Sequence, residues 1–171
     1  MGKRCGIWLA VGLAAALAQG CSAHCQPPPT TPWDVAIRSI HGARGLALEQ
    51  AVAVTVAARP KWNKTGIQLV KDQEYSIIAK GDWCDAGTHQ GPAGRVDPRF
   101  RSVERWRRKK DAKWFELVCA TNSDLETSFI VGEAAKVPPG QSGELTCFAN
   151  DLGVAYGNNS GGITMTVTRT K

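Results

Sequence analysis

From Val52 onward the chain alternates apolar and polar residues in short runs. Val52-Ala53-Val54-Thr55-Val56 puts valine at every second position. In extended backbone this turns one face to a core and the other to water. Gly66 to Val70, Tyr75 to Ala79, Phe115 to Ala120, Ser128 to Val131, Leu145 to Ala149 and Ile163 to Thr168 carry comparable runs. Turn chemistry separates them at Arg59-Pro60, Lys71-Asp72 and Pro138-Pro139-Gly140, where proline fixes φ and glycine or aspartate tolerates a reversal. Many short strands with regular turns predict an all-β sandwich or barrel. The pattern is mixed further upstream. Val35-Ala36-Ile37-Arg38-Ser39-Ile40 alternates like a strand, whereas Leu46-Ala47-Leu48-Glu49-Gln50-Ala51 favours helix. No internal repeat is visible.

The front of the chain carries an export signal. Lys3 and Arg4 precede an uncharged apolar run from Ile7 to Ala18, which has the length of a signal-peptide core rather than of a membrane span. Two processing readings stand. Ala16-Leu17-Ala18 is a site for an ordinary signal peptidase and would give a secreted or periplasmic protein. Leu17-Ala18-Gln19-Gly20-Cys21 resembles a bacterial lipobox, with Cys21 bearing the lipid, and would give a cell-envelope lipoprotein; this reading is favoured, because Gly20-Cys21 directly follows the apolar run. Gln26-Pro27-Pro28-Pro29-Thr30-Thr31-Pro32 then excludes helix and central strand and predicts a semi-rigid polyproline II tether.

The expected organisation is a signal peptide over 1–20, an anchor and Pro-rich linker over 21–33, an ambiguous segment over 34–50 and one β-sandwich domain over 51–171. With 171 residues in all, the remainder is long enough for one real core and short for two. Cys5 leaves with the leader. If Cys21 is lipidated, Cys25, Cys84, Cys119 and Cys147 form an even set with three possible pairings. Cys119 and Cys147 both sit in apolar strands, so either a buried bridge between them or buried free thiols fits. No C-x-x-C pair is present, which argues against zinc.

Chemistry concentrates near the end of the chain. Asn150-Asp151-Leu152-Gly153-Val154-Ala155-Tyr156-Gly157-Asn158-Asn159-Ser160-Gly161-Gly162 gathers one carboxylate and three side-chain amides into a glycine-rich loop between two strand-like runs. Hard oxygen donors on a tight loop suit Ca²⁺, which takes about six to eight oxygens in flexible geometry. A polar hairpin turn is the plainer reading of the same residues.

Three blocks in order resemble the PA-IL-like galactophilic lectins of bacteria. They are Trp62-Asn63-Lys64-Thr65-Gly66-Ile67-Gln68-Leu69 with Tyr75 to Trp83, then Gly91-Pro92-Ala93-Gly94, then the Asn150–Gly162 loop; their order matches, and the resemblance covers about residues 51–170. The resemblance implies a jelly-roll-like β-sandwich of the galactose-binding type that holds one Ca²⁺ ion. It implies metal ligands at Asp151, Asn158 and Asn159, with backbone oxygens from Ala155 and from the loop near Asp85. Two adjacent sugar hydroxyls would complete the coordination, with Asp151, Ala155 and Asn158 also contacting the sugar. The family's His-Pro-x-Gln segment, which contacts galactose, is replaced here around Gly94-Arg95-Val96-Asp97-Pro98-Arg99. Asp97 stands beside the aligned proline as a candidate sugar contact, and the histidine and glutamine are missing. Gly153 likewise replaces a family proline. Trp83 is a candidate stacking face for a sugar ring, although a strand tryptophan is more often core. A calcium-dependent galactose-type lectin function is therefore expected, and oligomeric state is not readable.

A basic segment supplies the alternative. Arg99, Arg101, Arg105, Arg107, Arg108, Lys109, Lys110 and Lys113 crowd one stretch with Phe100, Trp106 and Trp114 interleaved, and they account for most of the formal charge of +6. Such a run can hold anionic polysaccharide, phosphate or nucleic acid, and in an exported chain polysaccharide or an anionic lipid face is favoured. A solvated loop that only aids solubility is the plainer reading. Catalysis finds little support. His24 and His41 lie in the N-terminal part. An Asp85–His89 acid–base pair lacks a nucleophile, an Asp82–Asp85 carboxylate pair on a turn suits a loop better than glycoside hydrolysis, and Ser160 lacks a G-x-S-x-G elbow. The expectation is a binding protein and not an enzyme.

Overall fold

A computed structural model describes residues 42–171. The leader, Cys21, the Pro-rich linker with His24 and Cys25, the 35–40 run and His41 lie outside the described residues.

Eleven strands build two facing sheets: β1 (Arg44–Gly45), β2 (Ala51–Ala57), β3 (Asn63–Leu69), β4 (Tyr75–Asp85), β5 (Thr88–Gln90), β6 (Ala93–Arg95), β7 (Trp114–Thr121), β8 (Phe129–Ile130), β9 (Ala134–Val137), β10 (Gly143–Ala149) and β11 (Asn159–Arg169). The first sheet runs β1-β3-β10-β7-β6, with β8 also on β7; the second runs β2-β11-β4-β5, with β9 also on β4. All pairings are antiparallel except β1 with β3. This is the expected all-β sandwich.

The alternation seen in the sequence becomes the core. Val54, Val56, Ile67, Leu69, Ile77, Ala79, Leu117, Leu145, Ile163, Met165 and Val167 point inward from both sheets and are buried. Cys119 and Cys147 face each other across β7 and β10 and are joined by a disulfide, so the bridge alternative holds. The sulfur of Met165 lies 3.9 Å from Cys119 Sγ and 3.8 Å from Cys147 Sγ. Cys84 is a buried free thiol.

Three differences from the sequence reading have physical causes. The helix favoured over Leu46–Ala51 does not form. A turn occupies Leu48–Glu49 with Glu49 at φ 61°, Ala47 N donates to Gln50 Oε1 at 2.8 Å, and β2 takes the chain from Ala51; one helical turn without continuation is too short to nucleate. Second, β4 continues past Ala79 to Asp85. Gly81, at φ 119°, carries it through a close approach in which a Cβ would lie 3.1 Å from Ile163 Cα. Third, β1, β5, β6 and β9 are two to four residues long and lack the alternation that marks a strand.

The Cys119–Cys147 bridge closes 28 residues of chain. Loop-closure entropy for that length gives about 3–4 kcal/mol. Reduction is expected to lower the melting temperature by about 10 °C, measured by calorimetry with and without reductant; an unchanged melt would show that the bridge does not constrain the unfolded chain.

Candidate functional site

One end of the sandwich brings together residues distant in sequence. Asp85 ends β4, and Asn159, which opens β11, is its cross-strand partner. The segment 150–158 leaves β10 in the first sheet and crosses to β11 in the second. It carries Asp151 to the seam between the sheets, and a short 3₁₀ turn over Tyr156–Asn158 delivers the two asparagines. Asp151 is buried. Its Oδ1 accepts from Leu152 N at 2.7 Å and its Oδ2 from Asn159 Nδ2 at 3.0 Å. Asn158 Nδ2 donates to Asp85 Oδ1 at 3.2 Å. Asn159 is 3% exposed, and its Oδ1 is buried with no hydrogen-bond partner. A buried acceptor without a donor carries a desolvation cost of about 1–3 kcal/mol.

Arginine and carboxylate alternate beside this seam. Arg95, at the end of β6, donates from Nη2 to Asp85 Oδ2 at 3.1 Å and places Nε 3.5 Å from Asp97 Oδ2. Its Nη1 is buried without a partner. Arg99 grips Asp97 through two guanidinium contacts at 2.9 and 2.7 Å. Asp85, Asp97 and Asp151 bring three negative charges, Arg95 and Arg99 two positive ones, so the cluster keeps one net negative charge. The surroundings push the carboxyls in opposite directions. Burial raises the pKa of Asp151; hydrogen bonds from Asn159 and Leu152 and the nearby Arg95 offset part of that rise, while Asp85 adds to it. The side-chain hydrogen bonds from Arg99 draw Asp97 down to about 2 against a smaller opposing effect of desolvation.

The basic segment is built onto this loop. Arg107 forms an isolated antiparallel bridge with Leu152, and Arg108 N donates to Asp151 O at 3.1 Å. The Arg108 guanidinium lies over the rings of Phe148, Trp62 and Tyr156 at 3.8, 4.6 and 5.4 Å. It also donates to the Tyr156 hydroxyl at 3.0 Å, which donates in turn to Ala149 O at 2.7 Å. Burial pushes the Tyr156 phenol up to about 12, so it stays a neutral donor. Asn150 is fully buried and turned away from the carboxylates. Its Oδ1 accepts from Lys109 N, and its Nδ2 reaches Lys109 O, Ala112 O and Lys113 O at 2.8, 3.2 and 3.0 Å. Beside it Phe115 adopts φ 57°, unfavourable for a bulky residue; Phe115 N→Asn150 O at 2.7 Å and Asn150 N→Glu116 O at 3.0 Å hold it there.

The structure thus brings Asp85, Asp151, Asn158 and Asn159 together and separates others. Asp85 takes part through its side chain, where a backbone oxygen was expected from that loop. Ala155 lies on the loop with its carbonyl accepting from Asn158 N at 3.4 Å. Trp83 is corrected: it is fully buried against Phe115 and has no face open to a sugar, because its place on β4 points into the sandwich. Asp97 is buried and held by Arg95 and Arg99. His89 pairs with Asp82, since the β4–β5 hairpin sets Cys84 opposite His89 and Asp82 lies two residues away on the same face. In the basic run, Arg99, Arg107, Arg108, Lys109 and Lys113 have internal partners. Sequence reasoning missed the supporting roles of Arg95, Asn150 and Arg108, whose partners lie far away in the chain. Among the described residues no three Asp, Glu, His or Cys side chains form a metal cage; the donors that converge are two carboxylates and two amides.

No protein-family model and no curated protein matches the chain. Among solved structures, its fold is similar to that of the N-terminal domain of EclA, a PllA-like lectin, with a TM-score of 0.53 and 20% identity over 68% of this chain and 94% of that one.

Asp97 yields a pH prediction. A carboxylate whose folded pKa is depressed adds stability that is present above its unfolded value, about 3.9, and is lost as pH falls toward the folded value. Asp97→Asn is therefore expected to melt below the native chain at neutral pH, with the gap closing between about pH 4 and pH 2. Melting curves across that range check it; a gap independent of pH would contradict the assignment.

Proposed function

We propose that the chain is an exported Ca²⁺-dependent carbohydrate-binding protein, with ion and sugar held at the loop end that carries Asp85, Asp151, Asn158 and Asn159. The observation that carries the reading is the pairing of a buried carboxylate, Asp151, with a buried acceptor that has no donor, Asn159 Oδ1. One cation answers both needs: it favours the charged form of Asp151 and gives Asn159 Oδ1 a partner. The amides face the carboxylates with their nitrogens, which donate to the carboxylate oxygens. Asn159 Oδ1 has no donor as it stands, and a half-turn of the exposed Asn158 amide adds a second side-chain oxygen to the donor set. Carboxylate, amide and backbone oxygens suit Ca²⁺ and not zinc. The ion supplies double positive charge and coordination positions that adjacent sugar hydroxyls can fill.

The fold shared with a PllA-like lectin domain and the family-like Asn-Asp and Tyr-Gly-Asn-Asn-Ser-Gly blocks support the carbohydrate reading. A galactose-type sugar fits the resemblance, and its expected contacts are Asp151, Asn158 and the Ala155 backbone. Affinity should be low. The family's histidine and glutamine are missing, Asp97 is engaged by arginine, and each lost hydrogen bond removes about 0.5–1.5 kcal/mol. The export signal and Pro-rich tether support a site outside the cytoplasm, on a cell-envelope lipoprotein anchored through Cys21. Mass spectrometry of the mature chain should then find diacylglyceryl-modified Cys21 as its first residue; a first residue at Gln19 would overturn the anchor.

The metal assignment is tested by melting in Ca²⁺. An ion that binds only the folded chain adds about 2.7 kcal/mol at a hundredfold excess over its dissociation constant. The native melting temperature should rise with Ca²⁺, and that of Asp151→Ala should not. The rise should shrink on acidification at a pH above the ordinary carboxylate range, since protons compete for Asp151 there. Equal responses of the two proteins would contradict the site.

A further inference from the structure

The basic segment is an ordered structure rather than a solvated loop, and its order divides its cations into two sets. The anchors point inward: Asn150 binds the backbone of Lys109, Ala112 and Lys113, Arg108 lies in its aromatic cage, and Phe100 packs on Trp114 with ring centroids 5.3 Å apart. Consecutive 3₁₀ turns over Pro98–Phe100 and Glu104–Trp106 fix the chain between these anchors. Arg107 Nη2 holds the far turn through Lys110 O at 3.0 Å. What remains outside is Arg101, Arg105 and Lys110, all exposed, with Trp106 at 57% exposure. Among the described residues Arg101 and Lys110 have no side-chain partner, and Arg105 touches only the Trp106 ring, its guanidinium 4.8 Å from the centroid. A half-exposed indole and three cations without a carboxylate partner among the described residues, on an ordered frame, resemble a binding surface more than a solubility device, which needs neither order nor an aromatic.

We propose that Arg101, Arg105, Trp106 and Lys110 form an accessory surface for the anionic groups of a polysaccharide whose sugar unit occupies the Asp151 loop. The two surfaces are joined: Arg107 pairs with Leu152 and Arg108 with Asp151, so the exposed cations stand within a few residues of the loop backbone. Val154, 95% exposed, extends the same loop into solvent. The shared chemistry is a carboxylate or sulfate repeated along a glycan. Guanidinium groups bind both through paired hydrogen bonds, and the open ring of Trp106 packs on the apolar face of a sugar. The net charge stays positive after Lys3 and Arg4 leave with the leader, and it steers a polyanion toward the molecule. This inference rests on the sugar reading of the loop, and its test separates the two.

Four ligands are titrated into the folded chain with Ca²⁺ at low salt: a neutral galactan, a polygalacturonate, a sulfated galactan and a double-stranded DNA. The probe variants are the triple substitution Arg101→Ala, Arg105→Ala, Lys110→Ala, the single substitution Trp106→Ala, and Asp151→Ala. The acidic glycans should bind more tightly than the neutral one. The triple variant should bind them about tenfold more weakly while its neutral-galactan affinity and its Ca²⁺-dependent melting stay unchanged. A preference for polygalacturonate or for sulfated galactan identifies the anionic group. Equal affinity for neutral and acidic glycans, or an unaffected triple variant, overturns the surface. DNA bound as tightly as the glycans overturns the polysaccharide assignment. Trp106→Ala should weaken glycans more than DNA; the reverse also counts against a glycan. If Asp151→Ala abolishes neutral binding and weakens acidic binding, the joint site is supported. If neutral galactan fails to bind the native chain while polyanions bind equally to Asp151→Ala, the sugar reading fails and the proposed link to the loop falls with it.

Discussion

The site depends on the burial of Asp151 at the seam of two sheets. A carboxylate taken out of water needs donors or positive charge in return. Here it has one amide, one backbone N–H and the field of Arg95, which do not cancel the effect of burial on its pKa. The same seam contains Asn159 Oδ1 with no donor. Asp97 sits a short distance away in the opposite condition, held by Arg99 and Arg95. One carboxylate is thus saturated by arginine and one is left short of positive charge, and only the second combines with amide oxygens into a donor set for a hard cation. Arg95 touches both Asp85 and Asp97, so its charge is divided between them rather than directed at Asp151.

That burial requires a rigid support, which the basic segment provides. Asn150 and Asp151 are neighbours with opposite tasks: the amide of Asn150 ties down the backbone of the segment, and the carboxylate of Asp151 faces the seam. Arg108 joins Trp62, Phe148 and Tyr156, and Tyr156 stands two residues before Asn158. Gly94, at φ 63°, lets β6 cross β7 where any Cβ would come within 2.6 Å of the Trp114 and Glu116 backbone. The positive φ of Phe115 is located at the same crossing. Strain of this kind persists where surrounding structure over-determines it.

The sandwich was legible because burial on one face forces alternation, and each long strand shows it: Val52 to Val56, Tyr75 to Ala79 and Ile163 to Thr168 lie inside observed strands. The short strands at the edges were not legible, since two to four residues such as Ala93–Arg95 cannot display a period. Asp151, Asn158 and Asn159 were legible as a cluster because they share one loop, and Asp85 joins them through a strand pairing that places it opposite Asn159. Trp83 continues the inward face of β4 that Tyr75, Ile77 and Ala79 begin, because the register with β11 runs unbroken through Gly81. Arg108 and Asn150 could be seen only as parts of a charged run and a polar loop. Their side-chain partners lie 37 residues away or more in the chain, and nothing in either neighbourhood names them.

The central claim is that a cation at Asp151 makes this end of the sandwich competent to hold a sugar. Calorimetric titration of a small galactoside into the chain, first in saturating Ca²⁺ and then after chelation, tests it directly. The account predicts weak binding heat at millimolar sugar in Ca²⁺ and none after chelation. Heat of equal size in both conditions, or no heat in a chain shown to hold the ion, would contradict it.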